Sequence, residues 1–474
     1  MTVPRRIVVL GGGACGLTAA WRLSQAGAEV TVLEQESRIG GLCGTHERNG
    51  FRFDYGGHRF ITKNPAIDAL TRRLMGQELL LRTRSSVILH GGERYRYPLE
   101  LDDVLRRFGV RRGARAIASF AQERLRRSTD RSFEDWVVHR FGRDLYETFF
   151  GPYTEKLWGI PPSEISADWA SQRISLLSLS DVLWRLVGLR RGRARTYARR
   201  YLYPRLGIGQ IFEHMAKEFA AQGGALRLGA RVTGMAVVDR RVRGVRYADE
   251  AGEHELPCDA VISTISLATA TRLVAGKELS RTLARSCEAL RFRAIRLLNI
   301  LLRGPEVSPH TWMYVSEPRY LPARIQEPRH RSPAMAPAGC TSLMLEIPCQ
   351  VGDERWSAPD GAIYERCLED LAALGLPDLR GRTIDYFSSF VREGYPIYHL
   401  DYQRDRHQLL GFLGDIDNLM SCGRQGSFRY IFMDTAMEMG IRAAEILLAG
   451  GAQRGAAAEL GGETGLIESR ALTA

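Results

Sequence analysis

The pattern of apolar and polar positions changes period repeatedly near the start of the chain. "RRIVVL" (5–10) is a short apolar run that predicts a buried strand, "TAAWRLSQAG" (18–27) has helical spacing, and "EVTVLEQ" (29–35) predicts a second strand. Glycine turns follow both strands, at 11–13 and at 40–41. From 99 to 200 the apolar positions recur at helical spacing, in "DDVLRRF", "ARAIASFAQERL", "SFEDWVVHRF" and "SDVLWRLVGL". Alternation returns over 225–265 and predicts a strand, a β-hairpin and a strand ending at Ile265. Between Arg293 and Tyr402, "IRLLNILLR", "TWMYVSE", "CTSLMLEIPC" and "TIDYFSSFV" predict a second, mainly antiparallel sheet, interrupted by the helix "GAIYERCLEDLAAL". Beyond Gly450 the apolar periodicity fades, and a mobile tail is expected over 451–474. The fold class is therefore α/β, or α+β over several domains.

Composition changes this picture little. With 474 residues, 45% hydrophobic and 25% charged, the chain can bury two or three cores. No run approaches the roughly eighteen apolar residues of a membrane span. The N-terminus enters a strand without a signal-peptide pattern, so a cytoplasmic location is expected. Eight cysteines without a CxxC pair or ligand spacing read as free thiols, and no metal site is expected.

The charge is more informative. The formal net charge is +12, and only four of the 66 basic residues are lysines: Lys63, Lys156, Lys217 and Lys277. Arginines crowd "RRFGVRRGARAI" from Arg106 and "LRRGRARTYARRYLYPR" from Leu189. Such blocks are solvated faces, or they attract phosphates of a small substrate or of an anionic membrane surface. Neither contains a nucleic-acid reader motif, and no nucleic-acid partner is expected.

Gly11, Gly13 and Gly16 form GxGxxG between strand and helix, the Rossmann-type arrangement that brings a pyrophosphate to backbone N–H groups at a helix N-terminus. Glu34 closes the second strand, where a carboxylate accepts from both ribose hydroxyls of an adenosine. Arg38, Gly40 and Gly41 follow almost at once. This order, GxGxxG then a carboxylate then RxGG, resembles the FAD-binding superfamily of amine oxidases, protoporphyrinogen oxidase and UDP-galactopyranose mutase. The resemblance implies an FAD-binding domain assembled from 1–98, 201–268 and 411–450, a helical domain at 99–200 and an antiparallel substrate domain at 269–410.

"GRQGSFRYIFMD" (423–434) is similar to the stretch with which UDP-galactopyranose mutase closes over the flavin. "FDYGGHRF" (53–60), "YTEKLWG" (153–159) and "ARIQE" (323–327) are similar to other motifs of that mutase. The likeness implies cofactor contacts from Gly56, Gly57, His58, Val232, Gly423, Arg424, Met433 and Asp434, besides the residues of the first two turns. It implies substrate contacts from Tyr153, Trp158, Arg173, Arg324, Tyr395 and Tyr430. His58 and Arg324 would serve catalysis, with flavin N5 as the nucleophile. The implied activity is pyranose/furanose isomerisation of a nucleotide-diphosphate sugar through a reduced-flavin N5–sugar adduct, with NADH or NADPH as a source of reducing equivalents. An FAD-dependent oxidoreductase acting on a sugar, amine or isoprenoid is the alternative.

The chain also departs from the mutase pattern. Arg173 is kept, but Leu177 stands where a second arginine is expected, Ile61 replaces a histidine and Phe428 replaces a tyrosine. A lost charge-assisted hydrogen bond is worth ~1.5–3 kcal/mol. Arg185, Arg190 and Arg205 are candidates to replace it.

Overall fold

A computed structural model describes residues 6–97, 101–126, 129–174 and 200–450. The first two predicted strands are Arg6–Leu10 and Glu29–Leu33, paired in parallel with Ile7 opposite Val30. Ala260–Ser263 and then Leu419–Ser421 extend the sheet on one side, and Ala225–Arg227 on the other, giving five parallel strands. Their short apolar runs are what a parallel sheet buried on both faces requires. Ile7 and Val9 pack under the helices Ala14–Gln25, Gln210–Ala221 and Met433–Leu448. Val8 and Leu10 face a separate cluster with Leu267 and the antiparallel sheet Arg231–Val238, Arg241–Asp249 and Gly252–Pro257. The helices Ala14–Gln25 and Met433–Leu448 cross so closely that a Cβ on Gly440 would lie 2.3 Å from the Cys15 carbonyl oxygen.

The helical region contains Leu101–Arg124, Phe133–Phe141, Gly151–Trp158 and Ala167–Ile174. Ser132 caps the second of these through the Asp135 amide, and the Asp135 carboxylate accepts from the Ser132 N–H in return. The predicted helix "SDVLWRLVGL", with Leu177, Arg185 and Arg190, lies outside the described residues, as do most of the basic block from Leu189 and the tail 451–474.

The second large sheet runs in the order Thr383–Pro396, Phe292–Arg303, Cys340–Cys349, Arg324–Gln326, Trp312–Val315, Ser86–His90, Glu93–Arg96. All pairs are antiparallel except Trp312–Val315 with Ser86–His90. Its last two strands come from a segment, within 1–98, that the family resemblance places in the FAD-binding domain. Strands this short show little alternation, and their partner is more than two hundred residues away, so the sequence offers no local sign of the pairing. The long strand Phe292–Arg303 buries both faces. Leu298, Ile300 and Leu302 lie under helix Asp360–Ala373, while Leu297 and Leu301 pack on Phe51 and Phe53. No helix among the described residues is long and apolar enough to cross a membrane.

Candidate functional site

A cavity of about 1380 Å³ runs from the carboxyl ends of the parallel strands to the face of the second sheet. Its floor consists of backbone. At Gly11 (φ +99°) the chain leaves the first strand, and a Cβ on Gly16 would lie 2.0 Å from the Gly11 carbonyl oxygen. Gly16 therefore serves helix-on-turn packing and does not line the cavity. Gly13 lines it, and a Cβ there would meet no protein atom within 4 Å. The space above that helix N-terminus is left open for a ligand.

The second turn lies against the first. Gly40 N donates to Gly12 O at 2.9 Å, and a Cβ on Gly41 would stand 3.3 Å from Gly13 Cα. Arg38 Nη1 donates to Gly41 O at 3.1 Å, with its guanidinium 3.7 Å over the Tyr55 ring. The third turn arrives from the far end of the chain. Gly423 (φ +81°) sits so near the first helix that its Cβ would be 3.0 Å from Cys15 Cβ. Gly11, Gly13, Gly40, Gly41 and Gly423 thus share one cavity wall.

Glu34 is buried beside them. It accepts from Gly12 N at 2.7 Å and from Glu36 N at 2.9 Å. Burial pushes its pKa up, and these amides pull it back. Val232 and Met433 also line the cavity. Asp434 sits at the start of helix Met433–Leu448 outside the lining, buried, with its pKa pushed up to about 6, mainly by burial.

The roof is built from side chains. Trp158 packs edge-on against Trp169 (4.5 Å) and Tyr395 (5.7 Å), and Tyr395 stacks on Tyr430 at 5.7 Å. The Arg424 guanidinium lies 4.2 Å from the Tyr430 ring and donates to Ile431 O at 3.1 Å and Gly394 O at 2.5 Å. Tyr153 lines the cavity next to Tyr314, and burial pushes its phenol pKa well up. Arg324 is half-buried in the same wall, paired with Glu346 at 3.0–3.1 Å. Arg173 lies in helix Ala167–Ile174, but its side chain is outside the described residues. Arg205 is no replacement ligand: it pairs with Glu78 at 2.6 Å and does not line the cavity.

Gly56, Gly57 and His58 form the loop between floor and roof. A Cβ on Gly57 would sit 3.1 Å from Arg324 Nη1. His58 Nδ1 is buried without a hydrogen-bond partner among the described residues, and the ring's pKa falls to about 4, first through burial, with Arg331, Arg424 and Arg324 adding to the shift. The imidazole is therefore neutral at pH 7 and has an open nitrogen.

Sequence reasoning missed the groups behind Arg324. Gln326 bridges Glu346 and Arg331, and Arg331 faces Asp54, whose carboxylate also accepts from Tyr203 Oη at 2.5 Å and Ile208 N at 3.0 Å. The usable signal was Glu346 itself, a charge inside the apolar run "CTSLMLEIPC". A carboxylate there is retained only when paired.

Three glycine turns meeting over one helix N-terminus, a buried carboxylate beside them and an arginine–aromatic roof form a cleft of the kind that dinucleotide-binding folds present. The family model for flavin containing amine oxidoreductases matches residues 14–448, and the chain belongs to that family. Among curated proteins it is similar to the dTDP-fucopyranose mutase of Escherichia coli, 27% identical over 170 residues, 34% of this chain and 44% of that one. A probable UDP-galactopyranose mutase of Klebsiella pneumoniae is 25% identical over 171 residues, 34% of this chain and 43% of its own length. The chain thus spans less than half the length of these relatives. A crystal structure of reduced UDP-galactopyranose mutase superposes with a TM-score of 0.81 at 20% identity, covering 96% of this chain and 98% of that one, and establishes the shared fold.

Proposed function

We propose that the chain binds FAD and acts as a mutase on a nucleotide-diphosphate sugar, interconverting pyranose and furanose forms. The observation that carries this reading is the pairing of a backbone cradle with a roof that sets Arg324 and Arg424 among Tyr153, Tyr395 and Tyr430 in the same cavity. The mutase relatives point the same way.

The glycine turns would hold the cofactor's pyrophosphate through N–H groups and the helix dipole, and Glu34 would accept from the adenosine ribose. Reduced flavin, when bound there, would supply a nucleophilic electron pair. Arg324 and Arg424 receive the negative charge that gathers on the departing diphosphate, with Tyr153, Tyr395 and Tyr430 as hydroxyl donors. Trp158 and Trp169 screen the reacting carbon from water. Neutral His58 leaves Nδ1 open to a hydrogen bond with a bound ligand.

The test is turnover of UDP- and dTDP-sugars by dithionite- or NADPH-reduced protein, read by chromatography. Ring-isomerised product should form without net oxidation of the flavin. Equal turnover by the oxidised protein, with reductant excluded, would refute the reading. An oxidoreductase reading draws on one further observation: Ile88, Phe133, Phe149, Phe150 and Leu157 give the cavity an apolar flank suited to an isoprenoid or an amine with an apolar body. Anaerobic bleaching of the flavin by such a substrate is its signature.

A further inference from the structure

Helix Gly151–Trp158 brings Tyr153, Thr154, Leu157 and Trp158 to the cavity, yet Lys156 on the same helix does not line it. Lys156 is buried, whereas Lys63, Lys217 and Lys277 are exposed. Its Nζ donates to Val315 O at 3.1 Å, Glu317 O at 3.0 Å and Pro322 O at 2.8 Å. All three ammonium protons are used, on the last carbonyl of strand Trp312–Val315 and two carbonyls of the loop after it.

That loop joins strand Trp312–Val315, which carries Tyr314, to strand Arg324–Gln326. The Arg324 guanidinium lies 5.1 Å from the Tyr314 ring, and the Tyr153 ring meets Tyr314 edge-on at 6.3 Å. Other ties of the loop, among the described residues, run to its own sheet and the helix covering it. His90 Nδ1 and Ser316 Oγ are 2.9 Å apart, Gly91 N donates to Glu317 Oε2 at 3.0 Å, and Leu321 N donates to Asp370 Oδ2 at 2.6 Å. Lys156 ties the loop across to the helical region.

We propose that Lys156 is a positioning residue: its ammonium ties the helix bearing Tyr153 and Trp158 to the loop that delivers Tyr314 and Arg324, and so sets the width of the anion pocket between them. The proposal rests on the mutase reading only for the choice of ligand. Burial pushes the Lys156 pKa down to about 7. Among the charged groups facing it, Arg355 lowers it further, and Asp370 and Glu317 favour the ammonium. Deprotonation leaves two donors for three carbonyls, so the tie should slacken as pH rises through neutrality.

The test uses the full-length holoprotein, UDP as the probe, and the variants Lys156→Arg and Lys156→Met. The guanidinium of Lys156→Arg stays charged. Wild type should therefore bind UDP as tightly as Lys156→Arg at pH 6 and about tenfold more weakly at pH 8.5, a ratio that cancels the titration of UDP itself. Lys156→Met should bind at least about tenfold more weakly than wild type at pH 6, with flavin content unchanged. A constant ratio between wild type and Lys156→Arg, or wild-type affinity in Lys156→Met, overturns the proposal. Should Lys156→Met not fold, the first comparison decides alone. Should wild type not bind UDP, the mutase reading fails and hydrogen exchange of residues 312–326 decides on Lys156. Protection that declines from pH 6 to 8.5 in wild type but not in Lys156→Arg supports the tie, and equal protection profiles refute it.

Discussion

The floor and the roof of the cavity are built on different principles. The floor is backbone: three glycine turns, each held by its neighbours, in which side chains are absent because a Cβ would collide or would fill the ligand's space. The roof is side chain: Arg324, Glu346, Trp158, Tyr395 and Tyr430 come from separate strands, helices and loops and touch one another. A floor of N–H groups recognises phosphate in any ligand that presents it, and a roof of side chains can be altered one residue at a time. The contrast explains how a family can keep one cofactor site while its members differ in substrate.

Substitutions can test this division. The largest effect is expected from Gly16→Val. The Gly11 carbonyl oxygen lies 2.0 Å from the new Cβ, and overpacking of about 3 kcal/mol should separate helix from turn. Loss of both visible flavin absorbance and the cooperative thermal transition would register it. Glu346→Gln should come next. It strips the partner from a half-buried arginine and should lower stability in urea by about 3 kcal/mol while flavin content holds. Arg324→Met should raise the Kd for UDP roughly ten- to hundredfold at unchanged flavin content, by loss of one charge-assisted contact. Wild-type affinity in that variant would remove Arg324 from the site.

Gly13→Ala separates fold from ligand within the floor itself. Its Cβ meets no protein atom, so stability should shift by only about 0.5 kcal/mol while flavin uptake, followed by absorbance, falls. The last effect concerns pH. With the folded-state pKa of His58 near 4, below its ordinary 6.5, the unfolded chain binds the extra proton between those values. Stability should therefore rise with pH across that window. His58→Asn should flatten the rise, and urea titrations at pH 4.5 and 7 would show whether it does.

Much of the floor was legible in the sequence and much of the roof was not. Gly11, Gly13 and Gly16 announce themselves because a strand–turn–helix unit demands glycine at fixed offsets, and Glu34 because the next strand ends at a fixed distance. Gly423 was found only through likeness to a family motif, since nothing local says that a turn 407 residues beyond Gly16 returns to the same helix. For Arg324 the same likeness suggested a ligand. The Glu346–Gln326–Arg331–Asp54 relay behind it depends on strand register, which places Arg324 opposite Glu346 and Gln326 opposite Met344. No spacing rule encodes that register.

By itself the sequence determined what is periodic and local: the parallel strands, the helices between them, the glycine offsets and the apolar runs of the second sheet. Local sterics and burial set these within a few residues of each position. Only the tertiary structure decided that strands 86–90 and 93–96 join the far sheet, that Arg205 turns to Glu78 rather than the cavity, and that Lys156 spans two regions of the molecule. The physical reason is that charge pairing and edge-strand pairing are satisfied by whichever partner folding brings within about 3 Å, and the sequence separation of that partner is unconstrained.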